Sequence, residues 1–247
     1  MIDIQNEKEE RGIPLQYAGV SDLRTRLSIA DVATIGKVRL GVSLKEDARG
    51  IHMSRLSILL DAFREVNNEN IRKLLKNAAD AMESSNARLE LESTLFLSKE
   101  APVSGLVSEV PYDIRIEASL NSKIIHILSI PITTLCPCSK AISEYGAHNQ
   151  RGIVKLKLKD IDVADYACII RLIEKEVASS ELYEVLRRPD EKAVTERAYE
   201  NPRFVEDIAR ETILVMRRDY PGKLLSVEAV NDESIHSHNA YVYTEFV

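Results

Sequence analysis

The chain has few aromatic residues and no tryptophan: phenylalanine, tyrosine and tryptophan make up 5% of its 247 residues. So few ring faces argue against a stacking platform for single-stranded nucleic acid, and a net charge of −6 argues against a general nucleic-acid binder. The sequence also lacks any apolar run close to the roughly 20 residues of a membrane-spanning helix, and it lacks the glycine-rich motif of P-loop nucleotidases. We therefore expect neither a nucleic-acid nor a membrane partner.

Cysteine is also scarce, with three residues in the chain. The charged first residues contain no apolar segment of a secretion signal. Three cysteines that form no evident set of disulfide pairs predict a reducing compartment, the cytoplasm. There, cysteines are catalytic, metal-bound or buried. Cys136 and Cys138 are separated by one proline, which is too close for an easy mutual disulfide. Cys168 lies among apolar residues of a helical pattern, and we expect it in the core.

What the chain does contain is a stretch of reactive residues directly after an apolar run. Cys136, Cys138 and His148 lie between Thr133 and Gly152, just past a predicted strand. Such a position is typical of functional residues held by a rigid scaffold. A thiolate and an imidazole are both good ligands for zinc, so the stretch is a candidate metal or catalytic site.

A second cluster near the end of the chain contains Glu233, His236 and His238. If this segment is a strand, both histidines face one side, because side chains alternate along a strand. The simpler interpretation is that the cysteines are small core residues and His148 lies in a loop. Two separate clusters of ligand-type residues make coincidence less plausible.

Hydrophobic periodicity predicts a mixture of strands and helices. The predicted strands are 32–44, 87–98, 104–119, 123–135, 152–161, 224–230 and 239–246. The predicted helices are 53–67, 69–84, 162–179, 190–199 and 202–219, with 182–188 either a connector or continued helix. Residues 1–32 are predicted to form an extended arm. Several predicted strands follow one another along the chain with no helix between them. This order favours an α+β fold with antiparallel sheet.

Six short motifs in consistent order resemble the type IB GTP cyclohydrolases, and the resemblance covers nearly the whole chain. The motifs are Asp3-Ile-Gln-Asn-Glu-Lys8, Gly50-Ile-His-Met-Ser-Arg55, Cys136-Pro-Cys-Ser-Lys140, Gly146-Ala-His-Asn-Gln-Arg151, Asn201-Pro-Arg-Phe-Val-Glu-Asp207 and Glu233-Ser-Ile-His236. The chain departs from the family at Ile51, where threonine is expected, and at Thr25-Arg26, which replaces a more apolar stretch.

The resemblance implies a bimodular tunnelling fold. In that fold two antiparallel sheets carry helices on one face, four chains assemble around a barrel, and the active sites lie between subunits. Open sheet edges in a single chain would be one physical reason for such assembly. The implied division is an N-terminal arm at 1–32, a first module at 33–135, an active-site connector at 136–150 and a second module at 151–247.

The resemblance also implies hydrolysis of GTP to 7,8-dihydroneopterin triphosphate and formate, at the entry to folate biosynthesis. Water must add to an aromatic carbon before the C–N bond breaks, and a metal ion can supply hydroxide at neutral pH. The implied cofactor is Zn²⁺ or Mn²⁺, with Fe²⁺ as a further possibility. The alternatives are the archaeal-type enzyme, which forms 7,8-dihydroneopterin 2′,3′-cyclic phosphate, and a non-catalytic purine- or metal-binding protein of the same fold.

Candidate residues follow from the matched motifs. The candidate metal ligands are Cys138, His148, Glu233 and His236. The candidate catalytic residues are Cys136, Cys138, His148, His238 and His52. Spacing does not decide which cysteine binds the ion, nor which of the two later histidines does.

The substrate would be held by a carboxylate and several basic groups. By resemblance, Glu206 anchors the purine, because both oxygens of a carboxylate can accept N–H groups from its edge. Several polar and basic side chains inside the motifs are candidates for the triphosphate. They are Ser54, Arg55, Lys140, Arg151 and Arg203.

Overall fold

The structure, a computed structural model, describes Gln5 and residues 7–246. Of the N-terminal motif, Asp3, Ile4 and Asn6 lie outside the described residues. The strands are β1 Leu15–Ile29, β2 Val32–Leu44, β3 Glu65–Val66, β4 Ala87–Glu100, β5 Val107–Ser119, β6 Ile125–Leu135, β7 Asn149–Lys159, β8 Leu224–Asn231 and β9 Ala240–Glu245. The helices are α1 Met53–Ala62, α2 Asn68–Ala81, α3 Pro137–Ile142, α4 Tyr166–Leu172, α5 Arg188–Glu200 and α6 Val205–Asp219.

The described strands are hydrogen-bonded in the order β3-β1-β2-β4-β5-β6-β7-β8-β9. The pairing of β1 with β3 is parallel, so the sheet is mixed. The predicted α+β class is confirmed. The resemblance implied two antiparallel sheets, whereas the nine described strands are hydrogen-bonded into a single sheet. The tunnelling fold and its barrel stay predictions.

The chain divides into two compact units. The first contains residues up to Thr94, Arg115–His126 and Asp162–Ala164, and the second contains Leu95–Ile114, Ile127–Ile161 and the residues from Asp165 onward. Strands β4, β5 and β6 each contribute residues to both units. The predicted modules at 33–135 and 151–247 stay a prediction.

The first unit is built on the alternation of β2. Val38, Leu40 and Val42 are buried, whereas Lys37 and Arg39, which alternate with them, are exposed. Helix α2 adds an apolar stripe of buried residues to the same unit. They are Ile71, Leu74, Leu75, Ala78 and Ala79. The Oδ1 of Asn67 accepts the N–H of Asn70 at 2.8 Å, which satisfies a donor at the start of α2.

The second unit is built around α6, which packs on β8 and β9. Ile208, Val215 and Met216 face inward from α6, and Val227 and Ala229 are buried on β8. A π-helical turn, Ile173–Val177, follows α4 and also packs against α6. No helix among the described residues is long and apolar enough to cross a membrane.

Cys168 is not a core residue, which corrects the prediction from sequence. It is exposed on α4, where Tyr166, Ile169 and Ile170 form the buried face. Residues three and four apart share a helix face, so the inward stripe that begins at Tyr166 leaves Cys168 on the opposite side. Apolar neighbours in sequence were a poor guide to its burial.

Candidate active site

The end of β6 is joined to two distant parts of the second unit. The Leu135 N–H donates to Oγ of Ser179 at 3.1 Å, and the Arg203 N–H donates to the Leu135 carbonyl at 3.0 Å. The Thr133 N–H donates to the Ser180 carbonyl at 3.1 Å. These bonds bring the segment before α6 beside the start of the cysteine motif.

Residues 136–148, here called the thiol loop, begin directly after β6. Cys136 is half-buried, and its Sγ accepts the Ser139 N–H at 3.5 Å, capping the short helix α3. Cys138 is exposed. Both thiols are free of disulfides, as their spacing predicts.

The thiol loop is closed on itself through Ser139. The Cys136 N–H donates to the His148 carbonyl at 3.1 Å. The Ser139 hydroxyl donates to the Cys136 carbonyl and accepts the His148 N–H, both at 3.2 Å. Gly146 has φ +125, a conformation that other residues rarely adopt. The fold therefore holds Cys136 and His148 together.

The His148 ring meets a buried polar pair. Its Nδ1 lies 3.0 Å from Oε1 of Gln150, and Nε2 of Gln150 donates to Oγ1 of Thr134 at 2.9 Å. Thr134 is fully buried and Gln150 is 6% exposed. The ring orientation is therefore set by residues on β6 and β7.

The second predicted cluster follows the end of β8. The Asp232 N–H donates to the Arg151 carbonyl at 2.9 Å, so Glu233 comes directly after a residue bound to β7. The segment between β8 and β9 is a turn and not a strand. His236 and His238 nevertheless lie on one side, because their rings stack with centroids 5.0 Å apart and an interplanar angle of 16°.

The predicted metal ligands form no group of three among the described residues. Among Gln5 and residues 7–246, no three histidine, cysteine, aspartate or glutamate side chains are grouped closely enough to hold an ion. The chemistry of the thiols and imidazoles suits zinc, but a complete site is not formed by these residues of one chain alone. The predicted set therefore stays a prediction. It comprises Cys138, His148, Glu233 and His236, with Cys136 and His238 as alternatives.

The basic candidates near the thiol loop differ in what binds them. The Lys140 ammonium donates to the Tyr199 carbonyl and lies 4.4 Å from the Tyr199 ring centroid. Arg203 pairs with Glu211 at 3.8 Å, and its buried Nε has no partner among the described residues. Arg151 is exposed on β7. Lys140 thus links α3 to the end of α5.

Glu206 is exposed at the second position of α6. The carboxylate that caps this helix is that of Asp207, whose Oδ2 accepts the Phe204 N–H at 3.0 Å. Glu206 is therefore not needed as a cap, and its carboxylate is available to a ligand.

The remaining candidates lie in the first unit. His52 occupies the N-cap position of α1, Ser54 is exposed in its first turn, and Arg55 donates to the Ala81 carbonyl at 3.0 Å. A cleft of about 420 Å³ lies beside them. The basic side chains that line it are those of Lys45, Arg49, His52 and Arg55.

A cleft of about 430 Å³ in the second unit was not predicted from the sequence. It shares Ser179 and Arg203 with the end of β6, and the π-helical turn forms one wall. Such turns are frequent at functional sites. The other polar residues that line it include Glu174, Ser180, Glu181, Arg197 and Asn201.

A buried charged network lies behind this cleft and was also missed. Lys99 Nζ contacts Glu174 at 2.6 Å and Glu181 at 3.4 Å, and the Tyr112 hydroxyl donates to Glu174 at 2.7 Å. Arg197 contacts Glu181 at 3.3 Å. Burial raises the pKa of the Glu174 carboxyl, whereas Lys99 lowers it. Burial also raises the pKa of Tyr112, and the Glu174 charge adds to this.

Asp190 fixes the start of α5. Its fully buried carboxylate accepts the hydroxyl of Ser104 at 2.6 Å and the N–H groups of Ser104, Val103 and Arg187 at 2.8, 2.9 and 2.9 Å. These bonds, led by that of the Ser104 hydroxyl, hold the pKa of Asp190 well below its ordinary value. Only its place in the first turn of a predicted helix could have signalled a role.

Comparison with known proteins identifies the family. The model of the type I GTP cyclohydrolase FolE2 family matches residues 1–242. The chain is 40% identical to the GTP cyclohydrolase FolE2 of Caldicellulosiruptor bescii over 255 residues, covering 99% of this chain and 98% of that protein. It is 39% identical to the FolE2 of Thermotoga maritima (99% and 97% covered) and 36% identical to that of Dictyoglomus thermophilum (99% and 98%). The chain therefore belongs to the type I GTP cyclohydrolase FolE2 family.

Proposed function

We propose that this protein hydrolyses GTP to 7,8-dihydroneopterin triphosphate and formate, the entry reaction of folate biosynthesis in the cytoplasm. The observation that carries the proposal is the closed thiol loop. It holds Cys136 and His148 together beside the segment that leads to Glu206, in a member of this family. A thiol and an imidazole thus follow the end of β6, and the segment bonded to that end leads to the exposed carboxylate of Glu206.

The proposed roles follow from the contacts of each group. Glu206 accepts two N–H groups from the purine edge, since its carboxylate is not used as a helix cap. His148 presents Nε2, because its Nδ1 is already bound by Gln150; this nitrogen serves as a metal ligand or, with no ion on it, as a proton acceptor. Arg151 and Arg203 contact the triphosphate, with Lys140, Ser54 and Arg55 as further candidates.

The proposal includes a divalent ion, Zn²⁺ or Mn²⁺, with Fe²⁺ as a further candidate. It would be held by Cys138, His148, Glu233 and His236, with Cys136 as the alternative thiolate. When bound, such an ion lowers the pKa of a coordinated water to about 7. Because the described residues of one chain form no such group, donors from a neighbouring subunit are required.

The proposed assembly is the homotetramer of the tunnelling fold, with active sites between subunits. Strand β9 is last in the sheet order, so its outer edge carries unpaired backbone groups that another chain can cover.

The test is incubation of the protein and GTP with each ion, followed by oxidation and detection of neopterin fluorescence. Cys136→Ser and Cys138→Ser should abolish turnover, whereas Cys168→Ser, on the exposed face of α4, should retain it. Mass spectrometry of the product distinguishes the linear triphosphate from the cyclic phosphate of the archaeal-type enzyme. GTP that remains intact with every ion would leave only a purine- or metal-binding role.

A further inference from the structure

We propose that Gln150, held by Thr134, fixes the tautomer of His148 with its proton on Nδ1 and its lone pair on Nε2. Gln150 is a positioning residue in this proposal, because it acts through His148. The use of Nε2 in turnover rests on the proposed function, whereas the tautomer itself does not.

The geometry assigns a direction to each hydrogen bond. A glutamine amide has one donor end and one acceptor end. Nε2 of Gln150 donates to Oγ1 of Thr134 at 2.9 Å, so Oε1 is the end that faces Nδ1 of His148 at 3.0 Å. An oxygen acceptor requires N–H on Nδ1. In a neutral imidazole the second nitrogen then carries the lone pair.

Burial keeps both ends of the amide bonded to these two partners. Thr134 is fully buried at the end of β6, and Gln150 is 6% exposed at the start of β7. An amide end without a partner at this buried position would carry a desolvation cost. The main chain of His148 is held separately by Ser139, so the ring and its backbone are both fixed.

The consequence for chemistry is that His148 presents Nε2 as a base or ligand. No hydrogen bond to Nε2 is found among Gln5 and residues 7–246. Partners that bind the far nitrogen of an imidazole fix its tautomer and orientation and raise its basicity. This one lone pair can coordinate a borderline metal ion or accept a proton, but not both at once.

The experiment is NMR of metal-free protein labelled with ¹⁵N at its five histidines. At about two pH units above the ordinary imidazole pKa of about 6.5, two-bond ¹H–¹⁵N correlations show which ring nitrogen carries the proton. The His148 signals are assigned by their loss in His148→Asn. We expect protonated Nδ1 in the wild type, a shift toward protonated Nε2 in Gln150→Leu, and restoration in Gln150→Glu, which keeps an acceptor.

Thr134→Val tests the second link. It removes the group that orients the amide and should give a mixture of tautomers. Its matched control is Thr212→Val, at a buried threonine whose hydroxyl has no partner among the described residues. Wild-type protein with the proton on Nε2, or a Gln150→Leu protein with unchanged tautomer, would overturn the proposal.

Zinc titration gives a second measurement. Gln150→Leu should bind Zn²⁺ about 10–100-fold more weakly than the wild type, and Gln150→Glu should restore affinity. The tautomer is measured without metal or GTP. A protein that shows the expected tautomers and no turnover would therefore count against the proposed function alone.

Discussion

At the scale of single residues, the charged groups near the end of β6 differ in what already binds them. Lys140 is held by the carbonyl and ring of Tyr199, so it supports the position of α3. Glu206 is exposed and the helix cap is supplied by Asp207. We therefore expect Glu206 to contact substrate and Lys140 to act mainly as support.

Glu206→Gln should raise the KM for GTP about 10–100-fold, because an amide offers one acceptor and one donor to a purine edge that needs two acceptors. The measurement is steady-state kinetics, with urea unfolding to show that stability is unchanged. Glu109→Gln, on an exposed position of β5, is the matched control. Equal KM values for the two variants would contradict the role.

Lys99→Met should lower the free energy of unfolding by about 3–5 kcal/mol, because it leaves Glu174 buried without its cation. The double variant Lys99→Met, Glu174→Gln should regain much of this loss. Urea denaturation of the single and double variants measures the coupling between the two residues. A double variant that is no more stable than Lys99→Met would show that the buried charge is not the cause.

At the scale of elements, two anchors position the second unit's helices and loops. Asp190 ties the start of α5 to Val103 and Ser104, and Ser139 closes the thiol loop. Each anchor joins segments through several hydrogen bonds to one side chain. A substitution at either anchor should shift the position of a segment without creating a cavity in the hydrophobic core.

The Asp190 anchor predicts a pH-dependent stability. Its pKa is lower in the folded protein than in the unfolded chain, so folding is stabilised above the ordinary aspartate pKa of about 4 and less so as the pH falls below it. Asp190→Asn should be less stable than the wild type at pH 7, and the difference should narrow in acid. Urea midpoints across this range measure it. The control is Asp80→Asn on the exposed face of α2, and a gap that is constant with pH would contradict the prediction.

Gly146→Ala should disturb the thiol loop through its backbone alone. A Cβ there would meet no atom within 4 Å, but φ +125 is strained for alanine. We expect turnover to fall about 10-fold or more, since about 1–3 kcal/mol of strain is relieved by moving His148. Gly222→Ala, at φ +71 and equally open, lies outside the loop and should keep full turnover. Equal turnover of both variants would show that the loop tolerates the change.

Much of this element structure follows from local patterns in the sequence. The predicted bounds of β2 agree with the structure because one face of the strand is half-buried at its start and buried from Gly36 onward. The sequence predicted an extended arm where strand β1 lies. Two register shifts against β2 interrupt the alternation of buried and exposed side chains along β1, so the strand pattern is hidden in the sequence. Helix α1 ends at Ala62, before the predicted residue 67, because Glu65–Val66 pairs with β1.

In the site too, contacts between residues close in sequence are easier to predict than contacts between residues far apart in the chain. Cys136 and His148 are near each other in sequence, and a backbone hydrogen bond joins them. The Lys99 and Glu174 pair joins residues far apart in the chain, and the helical pattern around Glu174 gave no sign of its partner. Of the two predictions for 182–188, the connector is confirmed, because the residues before Arg188 form no helical turn.

At the scale of the whole molecule, the described chain leaves apolar side chains exposed on an edge strand. Tyr241 and Tyr243 of β9 are 73% and 52% exposed, and β9 is last in the sheet order. An unpaired edge with aromatic side chains favours association.

Light scattering should give a mass near four times the 27.8 kDa of one chain. Tyr241→Lys should lower the mass, because a charge on the edge strand opposes pairing. Leu214→Lys, at a residue of α6 that is 59% exposed, should not. A monomer at all concentrations would contradict the proposed assembly and the shared active site.

Hydrogen bonds at the end of β6 also set how its amide protons exchange with deuterium. The N–H groups of Cys136 and His148 are bonded within the thiol loop, and those of Leu135 and Arg203 join the end of β6 to Ser179 and to the segment before α6. We expect these bonded amide protons to exchange more slowly than those of exposed loop residues, and at similar rates where the bonds open together. The backbone of the thiol loop and that of the segment before α6 would then open as one unit.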